Sequence, residues 1–460
     1  MKILVFVEVD VVIRHFIHSQ AFKNLSLKHD VAYVFPPGYK RLGAVDLSSL
    51  DLGTARNLSL PADNTRLALW RRLFFVEQLR GSAGLKGSIA RGYRKLFRTY
   101  NPPKAYIYYR FLGLPLIFFV FSSFTRLLLA LYPNKPLHSL LHSEKPDLIL
   151  HPCVLEGAYI NDLVHTAGFY NIPTVIIMNS WDNPASKRSV VGTNYWLLVW
   201  GPQTRAHAEQ IMRMPQQRII EFGAAQFDVY KTPPLINRET LISAHGLTCS
   251  RPVLMYAGSS KSTDEFDHLQ RLDVAITKGL LPALSIIYRP HPWGEGGKGG
   301  SRFLTHSFNH VVVDVSMRDY LHRVSHGDRS KSLPDYADTR DLLHAVDGII
   351  SPLSTLLIEA MMLGKPPLCF MPLEEHAADH FQLARHQIHF DELLSHPEVV
   401  VAWGLQSLIQ GVSELLQRSK DPSYSERLRI SSQYFVKSFS KPFSERIVEL
   451  SETICAGTRQ

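Results

Sequence analysis

The chain has 460 residues with 45% hydrophobic content, which is enough for two substantial domains, each with its own core. Its four cysteines are widely spaced and form neither a CxxC metal motif nor a disulfide framework, a usage that suits a reducing compartment. The N-terminus runs directly into an apolar stretch without the basic and apolar segments of a secretory signal. We therefore expect a cytoplasmic protein.

The excess positive charge is concentrated in one region. Residues 64–126 contain 12 Lys and Arg and a single acidic residue, Glu77, whereas the rest of the chain has 38 basic and 40 acidic residues. Within this region, the run Phe111–Thr125 carries no charge, but it is shorter than the roughly 20 residues needed to span a bilayer. The insertion 64–131 therefore predicts either a buried core helix or, as we favour, a surface that binds anionic lipid. No nucleic-acid recognition motif accompanies the charge, so we do not expect a nucleic-acid partner.

Strands and helices alternate along the first half of the chain, which is typical of an α/β protein with a doubly wound parallel sheet. The predicted strands are Lys2–Glu8, His29–Phe35, Pro146–His151, Pro173–Met178, Trp196–Trp200 and Arg218–Phe222, and the predicted helices are Val12–Lys28, Gly157–Phe169 and Arg205–Met212. A linker is predicted at Tyr230–Asn237, which contains two adjacent prolines. The sequence thus divides into a first domain, 1–230, and a second domain, 238–430, that begins with the helix Arg238–Gly246.

The first functional motif is a strand, a hydroxyl-rich turn and a helix. The apolar run Val346–Ile350 is followed by Ser351, Ser354 and Thr355 and then by the helical segment Thr355–Leu363. Hydroxyl donors and free backbone N–H groups at such a turn suit a phosphate, and Glu359 lies one helical turn further on. The alternative is an ordinary helix with a Ser or Thr cap.

The second motif follows another strand, Ala283–Tyr288. Arg289 and His291 stand at its carboxyl end in the sequence Arg-Pro-His-Pro, ahead of a glycine-rich loop. Open α/β sheets bind ligands at this edge, and we expect an uncompensated Arg–His pair to bind a diphosphate or a nucleotide monophosphate. Ser259, in a Ser/Lys-rich loop after the strand Pro252–Ala257, is a further possible phosphate contact, and a solvated loop is the alternative.

Together these motifs resemble the donor-binding domain of GT-B glycosyltransferases. More narrowly, the chain looks like bacterial surface-polysaccharide and glycerophosphate-polymer transferases, bacterial sialyltransferases and UDP-sugar 2-epimerases. The resemblance implies two Rossmann-like doubly wound domains facing a central cleft, with helices in 431–460 packing back on the first domain. It also implies that His291, Ser354 and Thr355 hold the phosphates of a nucleotide sugar and that Glu359 holds the ribose.

The function implied is transfer of a sugar from a nucleotide sugar to a polysaccharide or lipid-linked acceptor in bacterial surface glycan synthesis. The enzyme would act as a peripheral protein at the inner face of the cell membrane and would need no cofactor or metal ion. Three alternatives remain: a CDP-polyol phosphotransferase, a nucleotide-sugar 2-epimerase, or a non-catalytic subunit of a polysaccharide assembly complex.

Transfer to a hydroxyl group also calls for a base, which we expect after strands of the first domain. Asp182 is the preferred candidate, and a carboxylate that only stabilises its own turn is the alternative. Glu8 and Glu156 are further candidates. Arg14 and His15 are candidate contacts for the acceptor or for a donor phosphate, and Lys187 is one for the leaving diphosphate.

Overall fold

The computed structural model describes residues 1–37, 47, 50–82, 103–187, 190–258, 265–291, 302–326, 335–373, 381, 385 and 387–458. The chain forms two compact units, one made of Met1–Asp228 with Tyr434–Gln460 and the other of Val229–Gln433. Each unit is built around one parallel sheet with helices packed against it. The predicted α/β class with two doubly wound, Rossmann-like units is confirmed.

The first unit contains a seven-stranded parallel sheet in the order β3-β2-β1-β4-β5-β6-β7. In β1, residues Ile3–Phe6 are fully buried, and Leu4 lies opposite Ala32 on one side and Ile149 on the other. Such continuous apolar runs are expected when helices cover both faces of a parallel sheet. The strands are β1 (Lys2–Phe6), β2 (Asp30–Phe35), β3 (Arg56–Ser59), β4 (Leu148–Cys153), β5 (Thr174–Met178), β6 (Trp196–Val199) and β7 (Ile219–Glu221).

In the described part of the chain, eight α-helices precede the second unit. They are α1 (Asp10–Val12), α2 (Lys23–Lys28), α3 (Asn64–Ser82), α4 (Pro103–Leu112), α5 (Pro115–Leu131), α6 (Lys135–Glu144), α7 (Ile160–Phe169) and α8 (Pro202–Gln210). The single helix predicted over Val12–Lys28 is wrong. Instead, α1 continues into a π-helical segment, Ile13–His18, and Gln20 then takes a left-handed backbone conformation with φ of 56°. That conformation ends the helix, and α2 begins only at Lys23.

The basic insertion forms α3, α4 and α5. The uncharged run Phe111–Thr125 is divided between α4 and α5, because Leu114 is extended ahead of Pro115. The two helices, taken as Lys104–Leu112 and Pro115–Leu131, are bent by 93° relative to each other. In the described part of the chain no single helix is long and apolar enough to cross a membrane, although this bent pair together meets the length and composition.

One buried carboxylate ties the insertion to the sheet domain. Asp162, on α7, accepts hydrogen bonds from Arg66 Nε at 2.9 Å, from Trp70 Nε1 at 2.6 Å and from Asn134 Nδ2 at 2.9 Å. The Arg66 Nη1 group also donates to the carbonyl oxygen of Leu129 on α5, at 2.7 Å. Because Arg66 and Asp162 are both buried, the pair is shielded from water and holds α3 and α5 against α7.

The second unit contains a six-stranded parallel sheet in the order β10-β9-β8-β11-β12-β13. The strand order reverses between β8 and β11, and open α/β sheets bind ligands beyond the carboxyl ends of the strands at such a reversal. The strands are β8 (Val253–Ala257), β9 (Ser285–Arg289), β10 (Val311–Val313), β11 (Gly348–Ser351), β12 (Pro367–Met371) and β13 (Val400–Trp403). The helices are α9 (Arg238–Ala244), α10 (Glu265–Thr277), α11 (Arg302–Thr305), α12 (Arg318–Ser325), α13 (Tyr336–Ala345), α14 (Leu356–Met362), α15 (Ile388–Leu394), α16 (Leu405–Arg418) and α17 (Tyr424–Phe435).

The last segment of the chain belongs to the first unit. Lys437 N donates to the carbonyl oxygen of Trp200 at 2.9 Å, directly after β6. The final helix, α18 (Phe443–Thr458), places Phe443 against Phe16 and Phe222 in the core of this unit. The first unit is therefore built from both ends of the chain.

Candidate functional site

The carboxyl ends of β8 and β9 meet tightly in the second unit. Gly258 N donates to the carbonyl oxygen of Arg289 at 2.8 Å. A Cβ atom at Gly258 would lie 2.7 Å from Glu265 Oε2 and 2.8 Å from His291 N, both too close for a real contact. Glycine at position 258 thus allows Glu265 and His291 to lie side by side at this edge of the sheet.

Arg289, the last residue of β9, is 7% exposed. Its Nε atom lies 3.3 Å from Asp314 Oδ2, so the prediction of an uncompensated Arg–His pair is wrong. The carboxylate engages only one side of the guanidinium, however. Within the described residues, no acceptor makes a hydrogen bond with Nη1 or Nη2. A buried guanidinium with two unsatisfied NH2 groups is destabilising unless an anion binds to them.

Asp314, directly after β10, is itself held from several directions. Its carboxylate lies 3.2 Å from His245 Nε2 and accepts a hydrogen bond from Ser316 Oγ at 2.9 Å. Burial acts to raise the pKa of Asp314, but these hydrogen bonds and the charge of Arg289 together lower it. Asp314 therefore remains an anion that fixes the position of Arg289.

His291 lies two residues beyond β9 and is half-buried. Burial lowers the pKa of its imidazole from 6.5 to about 4, so the ring is neutral at pH 7. A neutral imidazole donates one hydrogen bond, and a phosphate beside it would favour its protonation.

The hydroxyl-rich turn lies between β11 and α14, as the sequence predicts. Ser351 is fully buried, and its hydroxyl lies 2.8 Å from that of Ser354. Thr355 occupies the position before α14, but its side chain makes no capping hydrogen bond. The alternative of an ordinary side-chain cap is therefore not realised by Thr355.

Glu359, on α14, is buried, and its carboxylate accepts a hydrogen bond from Tyr230. Burial and the Glu359 carboxylate raise the pKa of Tyr230 well above its usual range, while Arg289 acts in the opposite direction. Arg289 is therefore near enough to the Tyr230–Glu359 pair for its positive charge to affect the pKa of Tyr230.

Tyr230, Asp314 and His245 were missed at the sequence level, because nothing in the local sequence links them to the two motifs. Ser259 lies outside the described residues.

Glu8, a candidate base in the first unit, is only 1% exposed. Its carboxylate accepts hydrogen bonds from Ala158 N and Tyr159 N ahead of α7 and lies 2.9 Å from His151 Nε2. Burial acts to lower the pKa of His151, but Cys153 and Glu8 raise it well above its usual range. Because Glu8 is enclosed and bonded on several sides, the structure contradicts its assignment as a base open to an acceptor hydroxyl group.

Several other candidates lie in the loops beyond β1, β4 and β5. His15 Nδ1 lies 3.2 Å from the carbonyl oxygen of Asn179, and burial together with neighbouring Arg14 lowers its pKa to about 3. Glu156 is partly exposed in the loop between β4 and α7. The structure therefore brings the π-helical segment that carries Arg14 and the loop that carries Asp182 to the same edge of the sheet.

Asp182 is partly exposed and shapes its own loop. It accepts hydrogen bonds from Ser186 Oγ at 2.8 Å and from Asn183 Nδ2 at 3.2 Å. Lys187 is the last residue of the short π-helical segment Asn183–Lys187 that follows. Among the described residues, no three His, Cys, Asp or Glu side chains converge in a metal-binding arrangement.

Comparison with known proteins finds similarity in structure only. No family model matches the sequence, and no characterised protein matches it in sequence. A putative UDP-N-acetylglucosamine 2-epimerase from Listeria monocytogenes is similar over 98% of this chain and 96% of its own, with a TM-score of 0.53 and 10% identity. MnaA from S. aureus with UDP is similar over 98% and 96%, with a TM-score of 0.52 and 12% identity. UDP-GlcNAc 2-epimerase from Neisseria meningitidis, bound to UDP-GlcNAc, is similar over 99% and 100%, with a TM-score of 0.52 and 12% identity.

These similarities extend over nearly the whole chain, and both units contain doubly wound parallel sheets. The protein therefore has the GT-B type of fold, which confirms the resemblance inferred from the sequence. At 10–12% identity the similarity establishes the fold and leaves the reaction to be argued from the site.

Proposed function

We propose that the protein is a glycosyltransferase that uses a nucleotide sugar. The observation that carries this proposal is the buried guanidinium of Arg289, whose two Nη groups have no acceptor among the described residues. It lies at the carboxyl edge of the second sheet, where ligands bind in open α/β folds. An anionic phosphate would complete its hydrogen bonds.

The phosphates of the donor would bind to three sets of side chains at the carboxyl edge of the second sheet. Arg289 would pair with a phosphate through its free Nη groups, His291 would donate to a second phosphate oxygen, and Ser354 with Thr355 would supply hydroxyl donors. Glu359 would accept from a ribose hydroxyl in addition to Tyr230, since a carboxylate accepts up to about four hydrogen bonds.

In the reaction, an acceptor hydroxyl oxygen would form a bond to the anomeric carbon of the sugar. The bond between that carbon and the phosphate oxygen would break, and the nucleotide would leave with the electron pair. Arg289 would stabilise the growing negative charge, without need of a metal ion. For an inverting transfer, Asp182 would take the hydroxyl proton.

The acceptor would be a polysaccharide or a lipid-linked glycan at an anionic membrane surface. Support for this location comes from the insertion 64–131, with its concentrated positive charge and the exposed apolar side chains of α4 and α5. An enzyme that acts only on soluble nucleotide sugars needs no such surface.

A nucleotide-sugar 2-epimerase is the second candidate, because the structures similar to this chain include those of a putative and an established 2-epimerase. The two functions differ in their products. An epimerase converts one nucleotide sugar into another without any acceptor, whereas a transferase releases the nucleotide and lengthens an acceptor.

A donor panel distinguishes them. The purified protein would be incubated with UDP-, CDP-, CMP- and GDP-linked donors, with and without a membrane extract, and the nucleotides and nucleotide sugars would be quantified. We expect nucleotide release that depends on the extract. An epimerised nucleotide sugar formed without extract would favour the second candidate, and binding without turnover would indicate a non-catalytic subunit.

A further inference from the structure

Helices α4 and α5 expose an unusual number of large apolar side chains. Leu116 is 84% exposed and Phe119 is 70% exposed. The full set on these helices and their connections, which we call the apolar elbow, is Ile107, Tyr108, Phe111, Leu114, Leu116, Phe119, Val120, Phe124, Leu127, Leu131 and Tyr132. A contiguous apolar surface of this kind marks an interaction site.

The pattern along α5 shows that the exposed face is not simply the polar side of a surface helix. Phe118 and Phe121 face inward and pack against the cluster around Trp70 and Leu73. The residues spaced four positions apart on the opposite face, Leu116, Val120 and Phe124, are apolar as well. α5 therefore presents large apolar side chains on its outward face as well as its inward face, which favours an outward environment that excludes water.

Charge complementarity identifies what covers this face. Lys104 precedes the elbow, Arg110 and Arg126 flank its uncharged run Phe111–Thr125, and all three are exposed. Arg71 and Arg72 on α3 are exposed as well. In the sequence, residues 64–126 carry 12 basic residues against one acidic residue. A second copy of this chain would bring the same positive charge to the interface, whereas anionic lipid headgroups would neutralise it.

We propose that the apolar elbow inserts into one leaflet of an anionic membrane and lies in its plane, with the flanking cations at the headgroups. This inference deepens the proposed function, since it names the surface at which the transfer occurs. The 93° bend between the two helices fits an element that enters and stays in one leaflet.

The buried Arg66–Asp162 pair makes the elbow a fixed part of the first unit. Arg66 contacts both the Asp162 carboxylate on α7 and the carbonyl oxygen of Leu129 on α5. Insertion of α5 therefore positions the unit that contains the acceptor-side residues. A freely hinged anchor would hold the protein at the membrane without orienting it.

The test is flotation of the full chain with vesicles, using Leu116→Glu and a matched control, Leu235→Glu. Leu235 lies in the second unit and is 80% exposed, so the two substitutions add the same charge at equally exposed leucines. With vesicles of phosphatidylglycerol and phosphatidylcholine, we expect Leu116→Glu to weaken binding about tenfold or more, because a charge in place of an inserted apolar side chain opposes insertion. Leu235→Glu should bind like the unaltered protein.

Binding of the unaltered protein should weaken in salt and on vesicles of phosphatidylcholine alone. Equal binding to both vesicle types would overturn the role of the cations, and no binding to either would overturn the proposal. The alternative is that the elbow is a self-association surface. A salt-resistant dimer that does not bind vesicles and that Leu116→Glu converts to a monomer would show this.

Nucleotide binding is measured on the same samples. Its absence would count against the proposed transferase without altering the vesicle result.

Discussion

Arg289 and Asp314 form a buried ion pair in which Nε lies 3.3 Å from Oδ2, while both Nη groups of the arginine have no acceptor among the described residues. The pairing is thus one-sided. Asp314 holds the guanidinium at Nε and leaves the two Nη groups to bind another anion. This arrangement explains how a buried arginine can be stable before a ligand arrives and still bind one.

Removing the Asp314 charge should destabilise the protein. Asp314→Asn would leave Arg289 as a buried charge without its counter-ion, at an expected cost of about 3–5 kcal/mol in the free energy of unfolding. Denaturant unfolding measures this cost, with Asp319→Asn as the control, since Asp319 is exposed on the neighbouring helix. A similar, small change in both variants would contradict the structural role of the pair.

Gly258→Ala should damage the same site by steric means. The added Cβ would lie 2.8 Å from the backbone nitrogen of His291 and 2.7 Å from Glu265 Oε2, so the strand ends must move apart. We expect a loss of about 1–3 kcal/mol in stability and weaker nucleotide binding. Gly457→Ala is the control, because no atom lies within 4 Å of its added Cβ. Unchanged nucleotide affinity in Gly258→Ala would separate this strand end from the ligand site.

Much of the fold could be predicted because the central strands β1, β4, β8 and β11 are short apolar runs followed by helices. The edge strands β3 and β10 escaped prediction because they have only four and three residues, and β3 is mostly exposed. The end of the first helical segment at Gln20 could not be predicted either, since a left-handed backbone conformation at a single glutamine has no sequence signature.

The two motifs of the candidate site were recognisable because each lies within one strand-to-turn segment. Their partners were not. Tyr230 is 129 residues from Glu359, and Asp314 is 69 residues from His245, so only the folded sheet brings them together. Glu8 illustrates the opposite error. Its position after a strand suggested a base, but its burial against His151 was not readable from the sequence.

Folding stability should fall between pH 6.5 and pH 5. Burial lowers the pKa of His15 to about 3 and that of His291 to about 4. In this interval the unfolded chain binds protons at these positions and the folded chain does not. Each group should therefore cost up to about 1.4 kcal/mol per pH unit as the pH falls. His15→Gln should flatten the profile, and His322→Gln, at an exposed position, should not. Identical profiles for all three proteins would contradict this assignment.

Asp182 is tested by its effect on turnover. If it acts as the base, Asp182→Asn should lower turnover roughly 10²- to 10⁴-fold while leaving nucleotide affinity nearly intact. The amide oxygen can still accept from Asn183 Nδ2, and the amide N–H can donate to Ser186 Oγ, whose hydroxyl also has the carbonyl oxygen of residue 182 as an acceptor, so the loop should persist. Glu156→Gln serves as the comparison. Normal turnover of Asp182→Asn with impaired turnover of Glu156→Gln would move the role to Glu156.

The central claim is that the carboxyl edge of the second sheet binds the phosphates of a nucleotide. The most direct measurement is calorimetric titration of UDP, CDP, CMP and GDP into the unaltered protein, His291→Ala, the double variant Ser354→Ala/Thr355→Ala, and the control Arg271→Gln on the exposed side of α10. We expect the unaltered protein and the control to bind one of these nucleotides equally well. His291→Ala should lose about 1–3 kcal/mol of binding free energy, the usual range for a hydrogen bond to a charged group, and the double variant should also bind more weakly. Affinity that neither His291→Ala nor the double variant changes would contradict the claim.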